Sequence, residues 1–144
     1  MKFSACVLVG SLLPAGVVAS WRPSNDKQEG QELIERSAES VTPKRLFAEV
    51  GYDAECVHEL CCDHWRTESV IKPAVDRTDG GIDGKYHSQM TVETLKKKAY
   101  GRRWGVKSFM SGLKRTTDSM LSSRSERELF TEATLRVSVY VFRR

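Results

Sequence analysis

The sequence predicts a small α+β domain, mainly helical, with a C-terminal β-strand or hairpin and a disordered N-terminal spacer. Three observations carry that expectation. The chain has 144 residues, 40% apolar and 29% charged, which suits one small core and is too short for a multidomain enzyme. Apolar residues recur every three or four positions over residues 46–66 and 91–121, as on one face of a helix. Over residues 134–142, Leu135, Val137, Val139 and Val141 alternate with Arg136, Ser138, Tyr140 and Phe142, as in a strand.

The first element is a leader. Met1 and Lys2 open with positive charge and residues 5–13 are apolar. Pro14 then breaks the run, and Val17, Val18, Ala19 and Ser20 supply small residues at the cleavage positions. This is the order of a secretory signal, cut after Ala19 or Ser20, which would leave residues 1–20 as a removable signal peptide. The alternative is a buried core helix, which Pro14 and Gly16 would damage. No apolar run reaches about 18 residues, the length needed to span a bilayer.

Residues 21–45 read as a polar spacer or propeptide. Leu33 and Ile34 are its one apolar pair, with room for a short helix near residues 29–38. The segment ends in Lys44-Arg45, a dibasic pair of the kind cut by subtilisin-like processing proteases. Equally, Thr42 could cap a helix that Pro43 begins, with Lys44 and Arg45 in its first turn. Residues 46–144 form the expected mature domain. In residues 46–66, Leu46, Val50, Ala54, Val57, Leu60, Cys61 and His64 share a helical stripe, weakened at Gly51. Residues 76–84 are a turn-rich loop. Residues 91–121 read as an amphipathic helix broken near Gly101, Gly105 and Gly112, and residues 126–134 have room for another helical turn or two. The strand over residues 134–142 needs a partner, either near residues 69–75 or in another copy of the chain.

Charge is segregated. The net charge is +4, yet the acidic part, residues 46–95, holds four basic and ten acidic side chains. The basic part, residues 96–144, holds thirteen basic and four acidic ones. Such a chain can neutralise itself or hold its basic end ready for an anionic partner. Residues 96–115 carry eight basic residues and no acidic one, interleaved with aromatics. Lys96, Lys97, Lys98, Tyr100, Arg102, Arg103, Trp104 and Lys107 are therefore the candidate partner-binding residues. The partner is an unknown host or receptor protein, or an anionic surface of lipid headgroups or nucleic acid. A helix face docked on the acidic middle, a nuclear-import-like cluster and a processing site at Arg102-Arg103 that would leave an amidated Tyr100 are the competing readings.

Cys56, His58, Cys61, Cys62 and His64 bring five soft ligands into nine residues, a composition that suits zinc. Structural zinc sites take paired ligands from two separated segments, and His87 stands alone, so no metal or other cofactor is expected. A Cys-His catalytic pair is disfavoured because neighbours in sequence are rarely arranged as nucleophile and base. Removal of Cys6 with the leader would leave Cys56, Cys61 and Cys62 as disulfide candidates. That odd number leaves a free thiol or links two chains in a disulfide-bonded homodimer. A Cys56–Cys61 bridge conflicts with a regular helix.

The order of signal, acidic spacer, Lys44-Arg45 and mature domain resembles that of small secreted effectors of plant pathogens. Lys44-Arg45-Leu46-Phe47 followed by Glu49, Asp53 and Glu55 is similar to the host-translocation motif of oomycete effectors without its second arginine. The resemblance is to a class rather than a family. It implies a secreted, host-directed virulence protein, non-enzymatic and effector- or toxin-like, that acts by binding and is delivered outside the producing cell or into a host cell. The alternative is a prohormone-like precursor cut at its dibasic sites.

Overall fold

A computed structural model describes residues 2–20, 25–74, 83–117 and 122–144. Strand β1 (Lys2–Val7) and strand β2 (Pro14–Ser20) form an antiparallel hairpin in the register Lys2↔Ser20, with an irregularity between Cys6 and Val7. Val7, Val17 and Val18 favour extended backbone, and Pro14 sits at the first strand position, where its missing N–H costs no ladder bond. Gly10 takes a positive φ of 101° in the connection.

Helix α1 (Asp26–Ala38) follows, capped by the Asn25 side chain, which accepts from the Lys27 N–H at 3.1 Å. It buries Leu33 and Ile34 against the hairpin. The approach is close at Gly16. A Cβ there would run into Ser37 Oγ and lie 3.2 Å from the Leu33 carbonyl oxygen, so β2 can lie on α1 only with glycine at this position.

Strand β3 (Arg45–Ala48) leads through a 3-10 turn (Val50–Tyr52) into helix α2 (Glu55–Glu59), which widens into a π turn (Leu60–His64). Strand β4 (Glu68–Ile71) returns parallel to β3, with Arg45 opposite Glu68 and Ala48 opposite Ile71. A 3-10 turn (His87–Gln89), helix α3 (Val92–Lys97), a further 3-10 turn (Tyr100–Arg103), helix α4 (Trp104–Thr117) and helix α5 (Glu126–Phe142) complete the chain.

Three apolar clusters make the core. Ile34, Val57, Cys61, Trp65 and Ile71 join α1, α2 and β4. Val70, Met90 and Leu95 are covered by Phe47 and Tyr100. Phe109, Leu113 and Val137 of α4 and α5 close on Phe3, Ala5, Val7 and Val17 of the hairpin. Among the described residues no helix is long and apolar enough to cross a membrane.

The fold corrects the expected class. Helix accounts for 55% and strand for 17% of the described residues, in two small sheets with strands at the N-terminal end and a helix at the C-terminal end. The expected C-terminal strand or hairpin over residues 134–142 is the second half of α5. Leu129, Ala133 and Val137 are buried at four-residue spacing, whereas Leu135 and Val139 are exposed. The alternation of valines was thus a by-product of the helical stripe. The expected disordered spacer instead contains α1, because Leu33 and Ile34 find apolar cover in the hairpin and α2.

Over residues 46–66 one continuous helix gives way to β3, a 3-10 turn and α2, since Leu46 to Ala48 pair with Ser69 to Ile71. Arg45 lies in β3, which overturns the reading of Lys44 and Arg45 as a first helical turn. The amphipathic stretch from residue 91 is broken where Ala99 adopts a left-handed φ of 59°, just before Gly101. Most of the loop at residues 76–84, and the end of the 91–121 stretch, lie outside the described residues.

Candidate functional site

A cleft of about 770 Å³ lies between the two sheets. The whole of β1 lines it, with Gly30, Leu33 and Ile34 of α1, the whole of β3, and Val106 and Met110 of α4. No residue of β2 or β4 does. The walls are apolar because β1 and β3 place Phe3, Ala5, Val7, Leu46 and Phe47 at this junction. These residues were not among the sequence candidates. The available signal was Gly10 as a turn and Pro14 as a strand opener between two valine-rich runs, a hairpin pattern that the signal-peptide pattern overlays.

The rim is cationic. Lys2, Lys44, Arg45, Lys98, Arg102 and Arg103 border the cleft, against Asp26 and Glu49. Most of these cations are engaged. Lys2 pairs with Asp26 and lies 2.8 Å from Glu29, Arg45 pairs with Glu68, Lys98 lies 2.8 Å from Glu68, and Arg103 pairs with Glu49. Lys44 and Arg102 are exposed and have no acidic partner among the described residues.

Glu29 anchors the hairpin to α1. Its carboxylate accepts from Ser4 Oγ at 3.0 Å and Ser20 Oγ at 2.6 Å. Burial works to raise its pKa, but the Lys2 ammonium and the two hydroxyls outweigh burial and hold the carboxyl below the usual range.

The sequence-predicted basic segment splits in two. Lys98, Arg102 and Arg103 reach the rim of the cleft. Lys96 and Lys97 are exposed in the last turn of α3, and Trp104 is 64% exposed at the start of α4. Lys107 stands 3.4 Å from Glu49, and Tyr100 donates to the Ala48 carbonyl at 3.0 Å beneath the Arg103 guanidinium. The segment is docked on the acidic middle of the chain through Glu49 and Glu68, the self-neutralising arrangement that the charge segregation allowed.

The cysteine and histidine segment does not converge. Cys56 and His64 are exposed, while His58 and Cys61 are fully buried on the inner side of α2 and the π turn. All four cysteines carry free thiols, Cys6, Cys56, Cys61 and Cys62 alike. Burial, with smaller contributions from Cys62 and Cys6, pushes the Cys61 thiol up to about 12, so it stays protonated and inert.

His58 belongs instead to a buried polar cluster. Its Nδ1 lies 2.6 Å from Ser69 Oγ, which in turn lies 3.4 Å from Cys62 Sγ. Its Nε2 faces Asp53 Oδ1 at 4.0 Å, and His87 Nε2 stands 2.7 Å from the same oxygen but out of line for a hydrogen bond. The Ala74 N–H donates to Asp53 Oδ2 at 2.7 Å. The Glu55 carboxylate accepts from the backbone N–H groups of Tyr86 and His87, each at 2.9 Å, and so holds the loop that brings His87 in. Desolvation opposes ionisation of Glu55, but those two N–H groups keep its carboxyl below the usual range.

Burial, then the neighbouring His87, depresses the pKa of His58 below its ordinary 6.5, against the pull of Glu55 and Asp53. A histidine depressed in the folded state contributes stability that is complete above its unfolded pKa. That contribution fades as the pH falls below it, because the unfolded chain takes up the proton first. Urea denaturation is therefore expected to show stability falling below pH 6.5 by up to about 1.4 kcal/mol per pH unit from this group. The His58→Gln chain should lose that part of the slope. An unchanged slope in the variant would assign the pH dependence to other groups.

The residues expected at processing sites are all placed. Ala19 and Ser20 pair with Phe3 and Lys2 in the hairpin, Lys44 is exposed, and Arg45 begins β3 with its side chain on Glu68. The expected boundary between residues 20 and 21 falls at the end of β2, and that between 45 and 46 falls inside β3. No protein-family model matches this chain, and no curated protein or solved structure does, so its functional reading rests on the cleft and its rim.

Proposed function

We propose that this chain is a non-enzymatic binding protein that receives an anionic partner in the cleft between the hairpin and β3. The supporting observation is an apolar cleft with a predominantly cationic rim, on which Lys44 and Arg102 are exposed without acidic partners among the described residues. Apolar walls exclude water and so strengthen any ion pair formed at their edge. The basic segment contributes through Lys98, Arg102 and Arg103, the part of it that meets the cleft.

An anionic apolar dye, 8-anilinonaphthalene-1-sulfonate, tests this on the full chain. Its fluorescence should rise on binding. The double variant Lys44→Gln/Arg102→Gln should weaken affinity about tenfold, the size of one lost charge-assisted contact. Lys96→Gln/Lys97→Gln, on cations that do not line the cleft, should leave it unchanged. Equal affinity in both variants would refute the role of the rim.

The secreted, host-directed reading enters as a proposal with its own consequence. β1 is a wall of the cleft, so a product that starts at Trp21 would lack the site. Such a product would leave Lys96, Lys97 and Trp104 as its exposed contact surface. The intact mass of the protein from its producing cell, measured with and without reductant, distinguishes the two. A mass that retains residues 2–20 supports the cleft, and a start at Trp21 or Leu46 supports export and processing.

A further inference from the structure

We propose that the partner enters the cleft as an extended acidic peptide segment that becomes a new strand between β1 and β3. This rests on the cleft reading above and adds the form in which the partner is presented.

Among the described residues each sheet has two strands, β1 with β2 and β3 with β4, so β1 and β3 each keep one edge without a strand partner there. The cleft lies on those edges, since all of β1 and β3 line it and none of β2 or β4 does. The register shows which groups are offered. The Glu68 N–H donates to the Lys44 carbonyl at 3.1 Å. In a parallel ladder Leu46 then turns its backbone toward β4, while Arg45 and Phe47 turn their N–H and C=O groups away from it, toward the cleft.

Both faces of β1 are partly covered. Ser4 and Cys6 meet α1 and its neighbours, and Phe3, Ala5 and Val7 meet α4 and α5. What β1 leaves open is its edge. An unpaired edge is a template for strand addition, in which backbone bonds supply affinity and alternate side chains supply specificity. One inserted strand of about five residues would join the two sheets into a single five-stranded one, at the usual strand length. Its side chains would alternate between Leu33 and Ile34 on one wall and Val106 and Met110 on the other. Its acidic residues would find Lys44 and Arg102.

The probe is a fluorescein-labelled heptapeptide with valines at its centre and glutamates at its ends, added to the full chain. Its control is the same peptide N-methylated at alternate residues, which keeps charge and apolar surface but removes backbone donors. The expected result is saturable binding of the plain peptide, weakened at least about tenfold by N-methylation, as loss of two or three hydrogen bonds requires. Hydrogen exchange at the Arg45 and Phe47 amides should slow in the complex. Equal binding of the two peptides would overturn strand addition. If neither peptide binds while the anilinonaphthalene dye and oleate do, strand addition fails and the cleft stands as a site for small anionic amphiphiles. If nothing binds, both proposals fall.

Discussion

A chain trimmed to residues 21–144 is expected to lose cooperative folding. The hairpin is the surface on which three helices pack, α1 along both strands, α4 on β1 and α5 on β2. Its removal uncovers Phe109, Leu113 and Val137 on one side and Ile34 on the other, and deletes Phe3, Ala5, Val7, Val17 and the 3% exposed Val18. A fully buried aliphatic or aromatic side chain contributes about 1.5–3 kcal/mol, so several such losses match the whole 5–15 kcal/mol by which a small domain is stable. Glu29 would also lose Lys2, Ser4 and Ser20 together and remain as a carboxylate without those partners. The trimmed chain should show no thermal transition by circular dichroism and should bind hydrophobic dye without saturation. A sharp transition within a few degrees of the full chain would mean that residues 25–144 form a fold of their own, and the hairpin would then be dispensable, as a signal peptide is.

The second large effect is expected at Phe109. Its side chain is fully buried at the meeting point of α4, α5 and the hairpin, with the Tyr140 ring edge-on at 5.4 Å between centroids. Phe109→Ala removes a large apolar volume that the rigid helix–hairpin contact cannot refill, at a cost of about 3–5 kcal/mol. The lost ring pair is part of that cost. The midpoint of thermal unfolding should fall by roughly 10 °C or more. Trp104→Ala, five residues earlier and 64% exposed, should change stability by no more than about 0.5 kcal/mol. If urea denaturation places Phe109→Ala within 1 kcal/mol of the unaltered chain, the convergence of these three elements is not the centre of the fold.

Parts of this architecture were legible in the chain. The break at Ala99 and Gly101 lies within the stretch read as a discontinuous helix, and the contacts of Lys98, Arg103 and Lys107 with Glu68 and Glu49 are those of one of the alternatives that the charge segregation left open. The second half of the last helix was missed because every second residue from Leu135 to Val141 is β-branched or leucine. Over so short a run that satisfies a period of two as well as a helical stripe. The deciding signal was upstream, where Ser125 accepts from the Glu128 N–H at 3.3 Å in the spacing of a capping box. The hairpin was missed because a signal peptide and a small buried hairpin ask for the same residues, apolar and small with a turn former between them. The pairing of β3 with β4 is parallel and spans more than twenty residues, so no local pattern announces it. The cleft inherits that difficulty, since its walls come from segments that are neighbours only after folding.

The first and last segments of this chain interlock. The hairpin packs on α5, and Arg144 reaches back to the carbonyls of Ser11 and Leu12 at 3.3 and 3.4 Å. A ribosome delivers the hairpin before its cover, so a nascent chain holds an apolar ribbon without its lid until α5 has emerged. Native contacts of such long separation slow folding and lengthen the interval in which a chaperone or a translocation channel can capture the chain. Whichever of the two takes the newborn polypeptide would do so through the same apolar side chains of β1 and β2 that later hold the folded molecule together.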